Sequence, residues 1–160
     1  MKHTLSIFVN NHPGVMSHVS GLFARRGYNI NSIAVGETDD PEISSMTIVL
    51  KGNDTVIEQV KNQLRKLPDV LQITDIPYTS SITRELLLIL VATTDDNRQE
   101  AISICDVFKA NILDMTEENL MAEFSGNARE VNAFIRMMKK FGILEITRTG
   151  QIALNCRSTR

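Results

Sequence analysis

The chain carries Asn10-Asn11-His12-Pro13-Gly14 between an alternating apolar run and an amphipathic stretch, with a further amide, Asn29, beyond that stretch. Side-chain amides both donate and accept hydrogen bonds, proline stiffens the approach, and glycine leaves room for close contact. A helix starting near Gly14 would leave its first-turn amides without intrahelical partners, and its dipole would add partial positive charge at the same point. Such an end accepts a carboxylate or phosphate, and with the amides around it the group suits a small zwitterion. The same residues also suit a plain strand-to-helix loop with Asn11 as the helix cap. The turn alone leaves both readings open.

Other candidate chemistry is thinner. His3, His12 and His18 are not at i, i+4 spacing and have no Cys nearby, which favours solvated or capping histidines over metal ligands. The run Gly36-Glu37-Thr38-Asp39-Asp40-Pro41-Glu42 holds carboxylates for a hard cation, yet it lacks the spacing of a calcium loop and reads as a solvated turn. Cys105 and Cys156 form no CxxC pair, so they read as reduced thiols, with Cys105 packed beside Ile104 and Phe108. No catalytic dyad or triad is evident. Arg25-Arg26 could meet an acidic patch on a partner or compensate a helix C-terminal dipole. Met115 and Met137 could form an adaptable partner surface, while Met138 falls on an apolar stripe.

The elements that must position these residues follow from periodicity. Leu5, Ile7 and Val9 alternate as in a strand, and Phe8 on the second face hints that this face is covered too. Val15, Val19, Leu22 and Phe23 form the stripe of a core-facing helix that stops at Gly27. Strands over 28–36 and 43–51 follow, then a helix from Asp54 with Val56, Val60, Leu64 and Leu67 inward and a stop at Pro68, then a strand with Val70, Leu71, Ile73 and Ile76. The order repeats: a strand over 84–93, a helix from about Asn97 to Lys109 with Ala101, Ile104, Cys105 and Phe108 on one side, strands over 112–116 and 120–125, a helix carrying Val131, Phe134, Ile135 and Met138, and a strand in Ile143-Leu144-Glu145-Ile146-Thr147-Arg148. The fold class expected is α+β, two ferredoxin-like βαββαβ units at 1–77 and 84–160 joined by a linker at 78–83, where Pro77 and a Ser/Thr cluster interrupt the pattern.

The chain has 160 residues, 42% of them hydrophobic and 22% charged, with a formal net charge of −2. That composition supports a core and lacks the basic excess of a nucleic-acid or anionic-membrane binder, so no nucleic acid is expected as a partner. No apolar run reaches bilayer-spanning length and the N-terminus leads straight into a strand, so no membrane partner and a cytoplasmic location are expected. Units of fewer than ~80 residues bury too little surface to be robust alone, which predicts an oligomer.

The stretch NHPGVMSHVSGLFARRGYNINSIAVGETDDPEISSMTIVL closely resembles the N-terminal segment of the regulatory, small subunits of acetohydroxyacid synthase (acetolactate synthase), with the Asn-x-x-Gly turn, GLF-x-RRGYNI and the TDDP loop in that order. The second half resembles the bacterial form more loosely. The resemblance implies that 1–77 is an ACT domain for effector binding and dimerisation, followed by a C-terminal ACT-like domain. It implies a noncatalytic subunit in branched-chain amino-acid biosynthesis that activates the catalytic large subunit and confers feedback inhibition by valine. No cofactor is then expected in this chain, whereas thiamine diphosphate, Mg and FAD are expected in the catalytic partner. The family's effector site lies between two ACT domains, which here implies a homodimer with Asn11, His12, Pro13, Gly14, Val15 and Met16 from one chain and Asn29 and Ile30 from the other. In it the turn would meet the carboxylate, Asn29 or strand carbonyls would accept from the ammonium group, and Val15, Met16 and Ile30 would enclose an aliphatic side chain. In the second unit Asp95 and Asp96 at the matching turn would repel a carboxylate, so only the first unit is expected to bind valine. A stand-alone ACT-type amino-acid sensor acting on another enzyme or on transcription is the alternative, because fold alone does not fix function.

Overall fold

The computed structural model describes residues 1–156. The chain divides into two compact units, with Met1–Ile82 and the described residues from Gln151 in the first and Thr83–Gly150 in the second. The expected linker is instead structured: Tyr78–Ser80 is a short 3-10 turn, and the strand that follows it starts at Ser81. The end of the chain, expected within the second unit, belongs by its contacts to the first.

In the first unit β1 (Lys2–Asn10), α1 (Val15–Arg26), β2 (Ile30–Glu37), β3 (Ile43–Lys51), α2 (Asp54–Leu64) and β4 (Val70–Ile76) follow the order βαββαβ, and the antiparallel sheet runs β2-β3-β1-β4. Helix α1 forms where its stripe predicts, with Val15, Val19, Leu22 and Phe23 buried. It ends at Gly27, whose left-handed φ of +68° lets its N–H reach the Ala24 and Phe23 carbonyls. Helix α2 is capped by Asn53, whose side chain accepts from Val56 N–H at 2.9 Å. Its inward residues are Ile57, Val60 and Leu64; the expected Val56 is only partly buried, and Leu67 packs on the core from beyond the helix end. These side chains close one core with Leu5, Ile7, Val9, Met46, Ile48 and Leu50.

The other face of this sheet is covered as well, as Phe8 suggested: Thr47 and Val49, which pair with Ser6 and Thr4, are buried. A strand unforeseen in the sequence contacts β1 and β4; this is Ile152–Asn155, with Ala153 buried. Cys156 N–H donates to the Ser80 carbonyl at 2.6 Å, tying the segment to the 3-10 turn of the same unit.

In the second unit β5 (Ser81–Ala92), α3 (Arg98–Phe108), β6 (Asn111–Met115), β7 (Asn119–Gly126), α4 (Ala128–Met138) and β8 (Ile143–Arg148) repeat the pattern, with strand order β6-β7-β5-β8; Ile152–Asn155 is β9. Leu87, Ile89, Val91, Leu120 and Ala122 meet Ala101, Ile104, Cys105, Val131, Phe134 and Met138 in a separate core. Asn127 and Glu130 form a reciprocal capping box at the start of α4. Glu85, buried at the edge of this core, accepts from Arg148 through Nε at 2.6 Å and Nη2 at 3.0 Å. That bidentate contact raises the Arg148 pKa above its ordinary value, against the opposing effect of burial.

Candidate functional site

The β1–α1 turn is fixed by backbone contacts to two neighbouring loops. Asn10 N–H donates to the Asp69 carbonyl at 2.9 Å, and Asn11 N–H donates to the Glu42 carbonyl at 2.8 Å. The Asn11 side chain does not cap α1: its Nδ2 donates to the Pro41 carbonyl at 2.8 Å and to Glu37 Oε1 at 3.3 Å. Both side-chain donors are therefore spent on the β2–β3 hairpin tip, and only Oδ1 is left to accept from a ligand.

The residue that opens α1 is Gly14, with φ +92° and no side-chain cap. This left-handed conformation is one that residues with a Cβ rarely adopt. The first intrahelical bond runs from His18 N–H to the Gly14 carbonyl at 3.0 Å, and Val15 N–H makes only a long 3.5 Å contact to the His12 carbonyl. The N–H groups of Met16 and Ser17 have no partner among the described residues, and the first turn contains no acidic side chain. These are the groups that receive an anion at a helix start.

His12 is occupied within the protein. Its Nε2 lies 2.7 Å from Asp69 Oδ1, and His18 Nδ1 approaches the other oxygen of the same carboxylate at 3.4 Å. Both histidines thus serve to hold Asp69, which lies beyond α2, against the turn. Neither the position of Asp69 nor that of Glu37 and Pro41 is signalled by sequence spacing, because these contacts join segments distant along the chain. Val15 is a core residue, buried at 4% exposure. Its side chain packs beneath α1, whereas Met16 is exposed and Ile30 half-buried.

Asn29 is exposed and stands just before β2. It and the turn are separated by the whole of α1, 12 residues, or about 18 Å of helix. Within one chain they lie at opposite ends of the unit, so Asn29 and Ile30 are not brought to residues 11–16.

The matching turn of the second unit is built differently. Asn97 Oδ1 accepts from Thr94 N–H at 2.7 Å, and Arg98 reaches back to Asp95 at 2.9 Å. Among the described residues no group of three or more His, Cys, Asp or Glu could hold a metal ion, and no helix is long and apolar enough to cross a membrane. Cys105 is buried, and that burial, with a smaller effect of Asp106, raises its thiol pKa.

Two βαββαβ units, the first opening a helix with free amides beside a rigid amide-rich turn, define an ACT-domain protein. Residues 5–72 match the AHAS small subunit-like ACT domain, and residues 84–157 match the family described as the small subunit of acetolactate synthase. A probable acetolactate synthase small subunit of Archaeoglobus fulgidus is 43% identical over 154 residues, covering 96% of both chains. The acetolactate synthase small subunit of Mycobacterium bovis is 41% identical over 153 residues, covering 96% of this chain and 91% of that relative. The crystal structure of the acetolactate synthase small subunit from Thermotoga maritima matches with a TM-score of 0.92 at 39% identity, covering 98% of each chain. The chain belongs to the acetolactate synthase small-subunit family.

Proposed function

We propose that this protein is the noncatalytic regulatory subunit of an acetolactate synthase, which binds and activates the catalytic large subunit and makes it sensitive to valine. The observation that carries the effector site is the separation of Asn29 from the β1–α1 turn by the length of α1. A ligand touching both must lie between two chains. Support for such a pair comes from β2, an edge strand whose sequence Ile-Asn-Ser-Ile-Ala-Val-Gly-Glu holds no Pro or Lys and a single charge at its end. Natural edge strands left free usually carry such protection. Two β2 strands pairing antiparallel about a twofold axis would bring the top of one unit beside the base of the other. The valine carboxylate then meets the Met16 and Ser17 amides, and the ammonium group meets Asn29 Oδ1 or strand carbonyls of the partner chain. Thiamine diphosphate, Mg and FAD belong to the catalytic subunit in this reading, and the chain works in the cytoplasm.

The test is reconstitution. Supplied with pyruvate and those cofactors, the purified chain alone should form no acetolactate; added to the catalytic subunit, it should raise the rate and render it inhibitable by valine. Turnover by the chain alone, or a catalytic subunit indifferent to its presence, refutes the proposal.

A further inference from the structure

We infer that two copies of this chain are clamped at the β2 edge by opposite charges, the hairpin-tip carboxylates Asp39 and Glu42 of each copy meeting Arg25 and Arg26 of the other. The inference rests on the β2 pairing proposed above and adds what selects the partner and its register.

The first unit segregates charge along β2. Beyond one end of the strand lie Glu37, Asp39, Asp40 and Glu42, all exposed. Glu37 accepts from Asn11 and Asp40 Oδ1 accepts from Glu42 N–H at 3.0 Å, so both shape the tip. The side chains of Asp39 and Glu42 make no hydrogen bond or ion pair among the described residues. Before the other end stand Arg25 and Arg26 in the last turn of α1, also exposed. Neither has a carboxylate partner among the described residues; Arg26 Nη2 donates only to Gln63 Oε1 at 3.1 Å. Lys51 and Lys2, paired with each other in register next to the Ile30–Leu50 pair, add to the same basic end. Asp54 at that end is faced by His3 at 3.8 Å.

Within one chain these groups cannot neutralise each other. Strand β2 has 8 residues, so its ends are about 23 Å apart, well beyond the distance of roughly 8 to 10 Å over which exposed charges act at physiological salt. A second copy removes the separation. If β2 pairs with itself along its full length, residue 37 of one chain stands opposite residue 30 of the other. The tip that follows residue 37 then runs beside residues 25–29 of the partner, at both ends of the twofold. Acid meets base twice, and each meeting flanks the place where Asn29 approaches the turn. Sliding the strands out of register, or pairing them parallel, breaks both contacts. The tip also holds Asn11 through Pro41 and Glu37, so the clamp and the effector turn share one loop.

Sedimentation of the full chain tests this with Arg25→Glu/Arg26→Glu and Asp39→Lys/Glu42→Lys, each alone and then mixed. Alone, each variant sets like charges against one another at both contacts, and its dimer should dissociate about tenfold or more readily than wild type. Mixed, the two should form a heterodimer near wild-type strength, because both contacts are again acid against base. High salt should weaken the wild-type dimer and narrow the gap to the variants. A monomeric wild-type chain overturns the pairing and the clamp together. A wild-type dimer whose folded variants associate undiminished, or whose variants do not pair preferentially with each other, leaves the pairing standing and overturns the clamp.

Discussion

Gly14→Asp sets a carboxylate on the residue that opens α1, within reach of the free Met16 and Ser17 amides. A Cβ at this position meets nothing within 4 Å, so the side chain enters open space without a clash. The backbone cost is separate: φ is +92°, and a left-handed conformation costs an ordinary residue about 1–2 kcal/mol, less for Asn and Asp. Against a bound amino acid's carboxylate, the new charge at ~4 Å would contribute repulsion of about 4 kcal/mol at an effective dielectric near 20, and about a third of that already weakens binding tenfold. Gly14→Asn has the same shape and a similar backbone cost without the charge, so the ratio between the two isolates the electrostatic effect. Calorimetry on the dimer, with valine titration of acetolactate formation by the reconstituted enzyme, should show the Asp variant at least about tenfold weaker and resistant to feedback. The Asn variant should stay within about threefold of wild type, and both should still activate the catalytic subunit because much of the surface is untouched. A folded Asp variant with wild-type valine affinity would mean the turn is only a loop. An Asn variant as damaged as the Asp variant would refute the charge argument and assign the loss to shape.

Three further outcomes follow from the same structure. Asn29→Ala should weaken valine binding by about 1 kcal/mol, the worth of one hydrogen bond, while leaving the melting temperature unchanged because the residue is exposed; a tighter or unaltered valine isotherm contradicts its place in the site. Arg148→Met strips the partner from buried Glu85 and should cost about 2 kcal/mol in denaturant unfolding, below the usual range for buried pairs because the Arg side chain is 38% exposed. The Arg148 pKa is raised in the folded state, so its contribution is fully present below the unfolded value and is lost only as pH climbs through the folded one; a stability difference between wild type and variant that faded between pH 6 and 9 would contradict this. Native alkylation at neutral pH followed by mass spectrometry should label exposed Cys156 well before Cys105, whose burial shields the thiol and raises its pKa; equal rates would mean that the second core opens freely.

What the sequence determined is what local periodicity and local chemistry control. The α1 stripe at Val15, Val19, Leu22 and Phe23, the stop at Gly27 and the alternation in β1 are short-range patterns, and the structure realises each of them. The repeat of βαββαβ follows from summing such patterns. In α2 the expected stripe through Val56 is off by one residue, because Val60 and Leu64 are shared with a stripe through Ile57. The packing of the helix against the sheet sets the phase that turns Ile57 inward. Strand β9 is four residues long, too short for its period to mark it, and it is placed by contacts with β1 and β4, far away in sequence. The same limit governs the site. Asn11 has the right chemistry to cap α1, but the helix opens three residues later at Gly14, and the Asn11 Nδ2 donates instead to the Pro41 carbonyl and Glu37, brought close by the β2–β3 hairpin. Asp69 joins His12 and His18 only because β4 returns beside β1. Val15 belongs to the core because α1 lies with that face on the sheet. A residue's type fixes which bonds it can make, and its neighbours along the chain fix its local conformation. Which partner it meets is decided by segments far away in sequence, through contacts that exist only once the sheet has closed.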